Sequence, residues 1–303
     1  MPVPPRQPAA LHGRVFRGSE IVARGLLTPA GLRSAAWRPL FRDVYADARL
    51  PVTHLTRCAA AARWVLPAGV VVAGRSAAAL YGVPPITDDE PIDVLVPAGQ
   101  RFGPVSGLTV HTGLIEAADV TVRAGIPVTT ATRTCWDVAQ WLPAEEAVAV
   151  VDHLARLRLV ALPQLRTDVR ARVGLRGWKR GLRVAELADA GAESAQESRL
   201  RVRIVLAGLP APVTGFVVER DGRFVARLDL AWPDLKVAVE YDGLWHHDPE
   251  QFHRDRRRLN RLLGADWIVL HVTAKRFRED FDGFLAELHQ ALRSRTRSRS
   301  RSC

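Results

Sequence analysis

Between residues 195 and 292 the apolar positions switch repeatedly between a helical period and strict alternation. The pattern predicts a helix over 195–207 and strands over 215–219, 223–231 and 237–241, with turns at Asp221-Gly222 and at 233–236. An Arg-rich helix over 249–263, a strand over 267–272 and a last helix over 279–292 follow. Upstream, residues 51–190 read as mixed α/β and then helical. Ala-rich helices are predicted at 59–66 and 76–81, strands at 92–96, 108–111 and 126–129, and helices near 144–158, 163–173 and 178–189. A boundary falls at Asp189-Ala190-Gly191-Ala192.

The first 10 residues are Pro-rich and predict loose chain. Ser19 is placed to cap a short helix over Glu20–Arg24 that Gly25 ends, and Thr28-Pro29 opens a second helix running to about Trp37. Leu40–Tyr45 then reads as a strand. Helix, tight turn, helix and short strand is the order of a winged helix-turn-helix, and it puts Arg33 and Arg38 on or just after the second helix, where phosphates and base edges are met. The same segment reads equally as a small helical subdomain with solvated arginines. The whole is an α/β chain: a winged-helix-like module over 1–50, the mixed region over 51–190, an α/β domain over 191–292, and an Arg/Ser tail over 293–303 whose low complexity predicts disorder.

Composition adds a direction. Of 303 residues 48% are hydrophobic and 25% charged, ordinary values for a chain with a core. The balance is basic, 43 Lys+Arg against 32 Asp+Glu for a net +11, which points toward polyanions, with nucleic acid first. Only Lys179, Lys236 and Lys275 are lysines, so a preference for Arg codons explains part of the surplus, and the tail carries five of the eleven charges. Cys58, Cys135 and Cys303 are far apart and form no CxxC, which fits a reducing cytoplasm rather than a disulfide framework or a Cys-rich zinc site. The start has no charged segment leading an apolar one, and the most apolar stretch, Trp64–Gly74, is about half the ~20 residues of a membrane helix. A cytoplasmic protein with no membrane partner is expected. Asp93 reads as an edge-strand acid, and His111 and His153 as isolated structural histidines.

The chemistry concentrates in Arg227-Leu228-Asp229-Leu230-Ala231-Trp232 and Val237-Ala238-Val239-Glu240-Tyr241-Asp242-Gly243. With 233–236 as the turn, Asp229 faces Glu240 and Arg227 faces Asp242 across a hairpin, with directly opposed Cβ atoms about 4.5–5.5 Å apart. Two carboxylates so placed repel unless a cation lies between them, and a hard oxygen-seeking ion, Mg²⁺ or Mn²⁺, meets that need. Asp242 reads also as the partner of Arg227 or as the start of the Gly243 turn. Glu197 is a third acid, although Ser194-Ala195-Gln196-Glu197 is equally a capping box. His246, in the loop after the hairpin, is placed to move protons near a phosphate. Arg254, Arg256, Arg257 and Arg258 on the basic helix suit the phosphate backbone, or form a solvated face.

Together Glu197-Ser198-Arg199-Leu200-Arg201, Gly208-Leu209-Pro210, Arg227–Pro233, Val239–Gly243, His246, Asp255–Arg258 and Trp267–Leu270 resemble the very-short-patch-repair-like (Vsr-like) branch of the PD-(D/E)XK nuclease superfamily. The resemblance covers about 191–292. It implies an α/β/α restriction-endonuclease-like fold that binds Mg²⁺ through Asp229 and Glu240, with Glu197 and His246 assisting. Asp242 stands where the superfamily has lysine. Water activation then falls to the metal, to His246 or to an arginine, or hydrolysis is lost. The cysteines of the repair enzyme's structural zinc site are absent, so a mismatch-repair role is not implied.

Residues 12–160 resemble a different family. Gly25–Thr28 through Val44-Tyr45, Gly74–Gly82 and Pro127–Thr134 are similar to AbiEi-type antitoxins of type IV toxin–antitoxin systems, with Asp43 where that family has glycine. This implies an N-terminal winged helix that binds operator DNA, and a cognate toxin as partner. Two functions are therefore expected from sequence. One is a DNA-binding, Mg²⁺-dependent endonuclease in phage defence or DNA processing; the other is a non-catalytic antitoxin-like repressor.

Overall fold

A computed structural model describes residues 7–84, 87–220, 222–242 and 266–302. The chain is α/β and divides into two compact units, Met1–Trp141 and Leu142–Cys303. The helices at 144–187, which the sequence groups with the middle region, therefore belong with the C-terminal sheet.

The first unit opens with strand β1 (Val15–Arg17), helix α1 (Gly18–Ala23), a 3₁₀ turn (Gly31–Arg33) and strands β2 (Trp37–Phe41) and β3 (Val44–Asp47), in an antiparallel sheet of order β1-β3-β2. Phe16, Ile21 and Trp37 bury together, with Phe16 meeting Trp37 edge to face at 5.1 Å. The expected second helix over 28–37 does not form. The Thr28 hydroxyl accepts the Gly31 N–H at 3.0 Å, and the Arg33 and Ser34 N–H groups reach back only three residues, so the turn closes as 3₁₀. Trp37 and Phe41 are then drawn into the sheet by burial. Arg33 lies in that turn and Arg38 on β2, so neither stands on a recognition helix. Asp43, at the tip of the β2–β3 hairpin, has φ 62, the left-handed region that favours glycine and tolerates Asp. Its carboxylate accepts the Ser19 N–H and hydroxyl at 2.8 and 2.6 Å, fixing the start of α1.

The second sheet of this unit has order β6-β5-β4-β8-β7. Its strands are β4 (Val71–Val72), β5 (Ile92–Pro97), β6 (Leu108–Gly113), β7 (Val120–Arg123) and β8 (Ile126–Thr129). Helices α2 (His54–Trp64), α3 (Gly74–Leu80) and α4 (Ala131–Trp141) pack on it. Asp93 is on an interior strand, not an edge. It accepts the Arg75 N–H at 3.0 Å and pairs with His111 at 3.2 Å, while the His111 ring stacks on Trp141 at 3.5 Å. His111 is thus structural, as expected, but not isolated. The Cys58 and Cys135 thiols are buried, and burial pushes both up to about 12.

Gly74 starts α3 at φ +54, and a Cβ there would stand 2.7 Å from Asp93 Oδ2 and 2.8 Å from Trp141. Left-handed strain of ~1–2 kcal/mol plus a clash of ~1–3 kcal/mol makes Gly74→Ala destabilising by roughly 2–5 kcal/mol. Urea denaturation checks this, and a loss under ~0.5 kcal/mol would contradict it.

The second unit contains helices α5 (Ala144–Arg156), α6 (Leu162–Ala171), α7 (Trp178–Leu187) and α8 (Ala195–Leu206). A sheet of order β12-β11-β10-β9 follows, from β9 (Val213–Arg220), β10 (Arg223–Trp232), β11 (Val237–Asp242) and β12 (Ile268–Thr273), then α9 (Ala274–Glu279) and α10 (Phe281–Ser302). β9, β10 and β11 form an antiparallel meander, and β12 runs parallel to β11. One face of the sheet buries Leu230, Trp232, Val237 and Val239 against Leu200 and Ile204 of α8 and Phe284 and Leu288 of α10. Ala231 and Ala238 point to the other face, with Trp267 and Val218.

The expected disorder of 293–303 is not found over 293–302, where α10 continues. Leu292 is buried, and Arg295 grips Asp266 through both carboxylate oxygens at 3.0 Å and the carbonyl at 2.6 Å. These anchors order the first turns of the tail.

Candidate metal centre

The turn between β10 and β11 is a single 3₁₀ turn, Pro233–Leu235, closed by Lys236 at φ 49. It sets the register Leu230↔Val239, Ala231↔Ala238 and Trp232↔Val237, as the sequence predicts. The paired ladder ends at Leu230↔Val239, one step short of Asp229 and Glu240. Here the backbone ladder gives way to a side chain, because Asp229 Oδ2 accepts the Tyr241 N–H at 2.9 Å. Glu240 is buried at 8% exposure, while Asp229 is half-buried. Glu240 alternates with Val239 and so shares the face of Ala238, whereas Leu228 packs with Ala231 and Leu230 packs against α8, so β10 does not alternate strictly across Asp229.

Glu197 begins α8. Ser194 accepts its N–H at 3.2 Å, and its carboxylate accepts the Glu193 N–H at 2.8 Å, so the helix-capping role is realised. Its carboxyl is nevertheless pushed up to about 6, by burial first and also by the charge of Asp229. The third acid therefore feels the first.

The folded pKa of Glu197 lies above its ordinary 4.5, so its contribution favours the folded state at low pH and is lost as pH rises through about 6. Glu197→Gln in metal-free buffer should therefore gain about 1 kcal/mol at pH 7.5, after discounting for partial solvent exposure, and nothing near pH 4. Thermal unfolding of both proteins across that range checks the sign.

Asp242 departs from expectation. Arg227 does not face it but donates to the Gly215 and Gly191 carbonyls at 3.3 and 3.2 Å and pairs with Glu193. Asp242 instead bonds His271 Nδ1 at 3.2 Å. His271 on β12 is in register with Glu240, which puts an imidazole beside the acids from a strand that was expected but whose histidine was not singled out. Its signal was available, since a lone His in the apolar run 267–272 breaks the pattern of that strand.

His246, Arg254, Arg256, Arg257 and Arg258 lie outside the described residues. Among the described residues no group of three or more His, Cys, Asp or Glu side chains is arranged to hold a metal ion. Asp229, held by the Tyr241 N–H, and the adjacent buried Glu240 still fit the group the acids imply. Mg²⁺ characteristically keeps several waters and takes only one or two protein carboxylates. Arg33 and Arg38 belong to the other compact unit.

No family model matches the chain. It is 30% identical over 206 residues to two proteins of Mycobacterium tuberculosis, uncharacterized protein MT2308 of strain CDC 1551 / Oshkosh and uncharacterized protein Rv2248 of strain ATCC 25618 / H37Rv. In each case the match covers 68% of this chain and 74% of the relative. The crystal structure of the RV2827C protein from the same organism is similar at a TM-score of 0.40 and 17% identity, over 69% of this chain and 84% of that one. No helix among the described residues is long and apolar enough to cross a membrane. On the strength of its match to the two mycobacterial proteins, the chain belongs to their family.

Proposed function

We propose that this protein is a DNA-binding, Mg²⁺- or Mn²⁺-dependent phosphodiesterase whose reaction centre is the β10–β11 hairpin. One observation supports the reading: Asp229 takes the Tyr241 N–H right beside the buried Glu240, which brings two acids together at the end of the hairpin ladder, a grouping of like charge that a cation would offset. A divalent ion held there by Asp229 and Glu240 would supply Lewis acidity toward a phosphate oxygen and a nucleophilic water at neutral pH. The chain's own residues do the rest. Tyr241 N–H holds one Asp229 oxygen and fixes the carboxylate's orientation. Glu197, pushed up to about 6, is poised to exchange a proton near neutrality. A mixed sheet preceded by α8 and followed by α9 and α10 accommodates the α/β/α arrangement that the nuclease resemblance implies. The test is cleavage of supercoiled and single-stranded DNA with Mg²⁺ or Mn²⁺, which Asp229→Ala/Glu240→Ala must abolish.

Asp242 favours a second reading. It occupies the lysine position of the resembled superfamily and is engaged with His271. On that reading the protein is an antitoxin-like repressor, with a cognate toxin as partner and a C-terminal unit that only binds. DNA is then bound and not cut under any metal.

A further inference from the structure

The helical hairpin α6–α7 holds a concentration of charge with no assigned role. From Leu162 to Leu187 there are seven basic residues and two acids, a net +5 out of the chain's +11, and Arg170 pairs with Glu186 at 3.7 Å. Arg166 is spent internally, donating to the Ala185 and Ala188 carbonyls at 3.0 Å each. Lys179 and Arg183 are exposed one turn apart on α7, and Arg176 is exposed in the turn just before it. The turn at the hairpin's tip projects two apolar side chains among these cations, Val173 at 65% and Leu175 at 54% exposure. That turn is built rather than loose. Gly174 and Gly177 stand at φ 91 and 83, and the Leu175 and Trp178 N–H groups close on Arg172 and Leu175 carbonyls at 3.0 and 3.1 Å.

We infer that the α6–α7 hairpin is a duplex-DNA contact surface, with these cations on the phosphates and the Val173–Leu175 tip against a groove. Six of the seven cations are arginines, whose planar fork matches phosphate oxygens. A duplex offers one negative charge per ~1.7 Å of axis, dense enough to engage several of these cations at once. Small apolar wedges flanked by arginines are a minor-groove device. An anionic bilayer fits less well. The apolar face it would need (Leu165, Val169, Val184 and Ala185) is buried within the protein, leaving only the two tip residues for insertion. The hairpin is also held to the frame that carries the acids. Asp152 of α5 takes the Asp189 N–H just after α7 and the Arg201 guanidinium of α8, and Asp189 takes the Thr214 hydroxyl at the start of β9.

This inference rests on the DNA-binding half of the proposed function and not on hydrolysis. The full chain is titrated in EDTA against a short fluorescent duplex at several salt concentrations. Arg176→Ala/Lys179→Ala/Arg183→Ala is compared with a control of equal charge change, Arg101→Ala/Lys275→Ala/Arg293→Ala. The hairpin triple should bind ~10- to 100-fold more weakly near ~0.1 M salt and flatten the slope of log K against log salt by about 2–3, with the control nearly unchanged. Arg183→Glu alone gives a second variant, and circular dichroism confirms that each is folded. Equal losses in both triples, or absence of duplex binding, overturns the inference. Hairpin-dependent capture by phosphatidylglycerol vesicles without duplex binding overturns it in favour of a lipid surface. Duplex binding that needs the hairpin in a protein that cleaves nothing retires the nuclease reading and leaves this inference standing.

Discussion

Glu240→Gln is expected to lower divalent-metal-dependent DNA cleavage by ~10²- to 10⁴-fold, several kcal/mol of transition-state stabilisation at about 1.4 kcal/mol per decade. The substitution keeps the size of a side chain that is 8% exposed and removes only its charge. Its effect on stability should have the opposite sign. In the absence of a cation the two neighbouring carboxylates repel, and Gln relieves most of this. The variant should therefore melt higher than the parent in EDTA while cutting poorly in Mg²⁺. An ordinary structural glutamate would give the reverse, lower stability and unchanged cleavage. Assays with supercoiled plasmid, alongside thermal unfolding, read both signs on one preparation.

Arg201→Ala should destabilise the second unit by about 3–5 kcal/mol. Arg201 joins α8 to α5 through Asp152 at 2.8 Å and donates to the Leu187 carbonyl at 2.5 Å. Both side chains are buried, at 7% and 2% exposure. Burial pushes the Asp152 carboxyl up to about 6 even with the guanidinium beside it. Without Arg201 the carboxylate is a buried charge with no counter-ion, which is the expensive way to break such a pair. The penalty has a pH signature. Arg201 lowers the Asp152 pKa, so in the variant the carboxyl takes up its proton above pH 6, and the deficit, full at high pH, shrinks as pH falls toward about 6. Replacing both partners, Asp152→Leu/Arg201→Met, should recover most of the loss because it leaves no orphaned charge. Urea denaturation at pH 5 and pH 8 separates these outcomes, and a loss for Arg201→Ala below ~1 kcal/mol would contradict the account.

The acid hairpin was legible because its determinants are local. Alternation of Val237 and Val239 fixes the face of their neighbours on β11, and a turn of four residues fixes the register, although Leu228 and Leu230 pack in different clusters and the alternation breaks at Asp229. What lay beyond that range was not legible. The partner of Asp242 comes from β12, 29 residues away, and a parallel pairing leaves no turn from which to count. Arg227 was assigned to Asp242 by hairpin geometry, yet Gly215 leaves room for its guanidinium, which folds back over β9 toward Glu193. The missing second helix at 28–37 shows tertiary burial overriding a cap signal, since Thr28-Pro29 does begin a turn but Trp37 is worth more inside the sheet. The helical boundary was misjudged for the same reason. Asp189–Ala192 looks like a linker in composition, whereas the Asp152–Arg201 pair that binds α5 to α8 across it is a contact between residues 49 apart.

The central claim is that Asp229 and Glu240 form a divalent-metal site. Isothermal titration of the metal-free protein with Mn²⁺ tests it most directly, with Glu240→Gln and Asp229→Asn as comparisons. The account predicts saturable binding in the parent that both substitutions remove, and a rise in melting temperature with Mn²⁺ that disappears with them. Mn²⁺ binding unaltered by either substitution, or no binding by a folded parent protein, would contradict it.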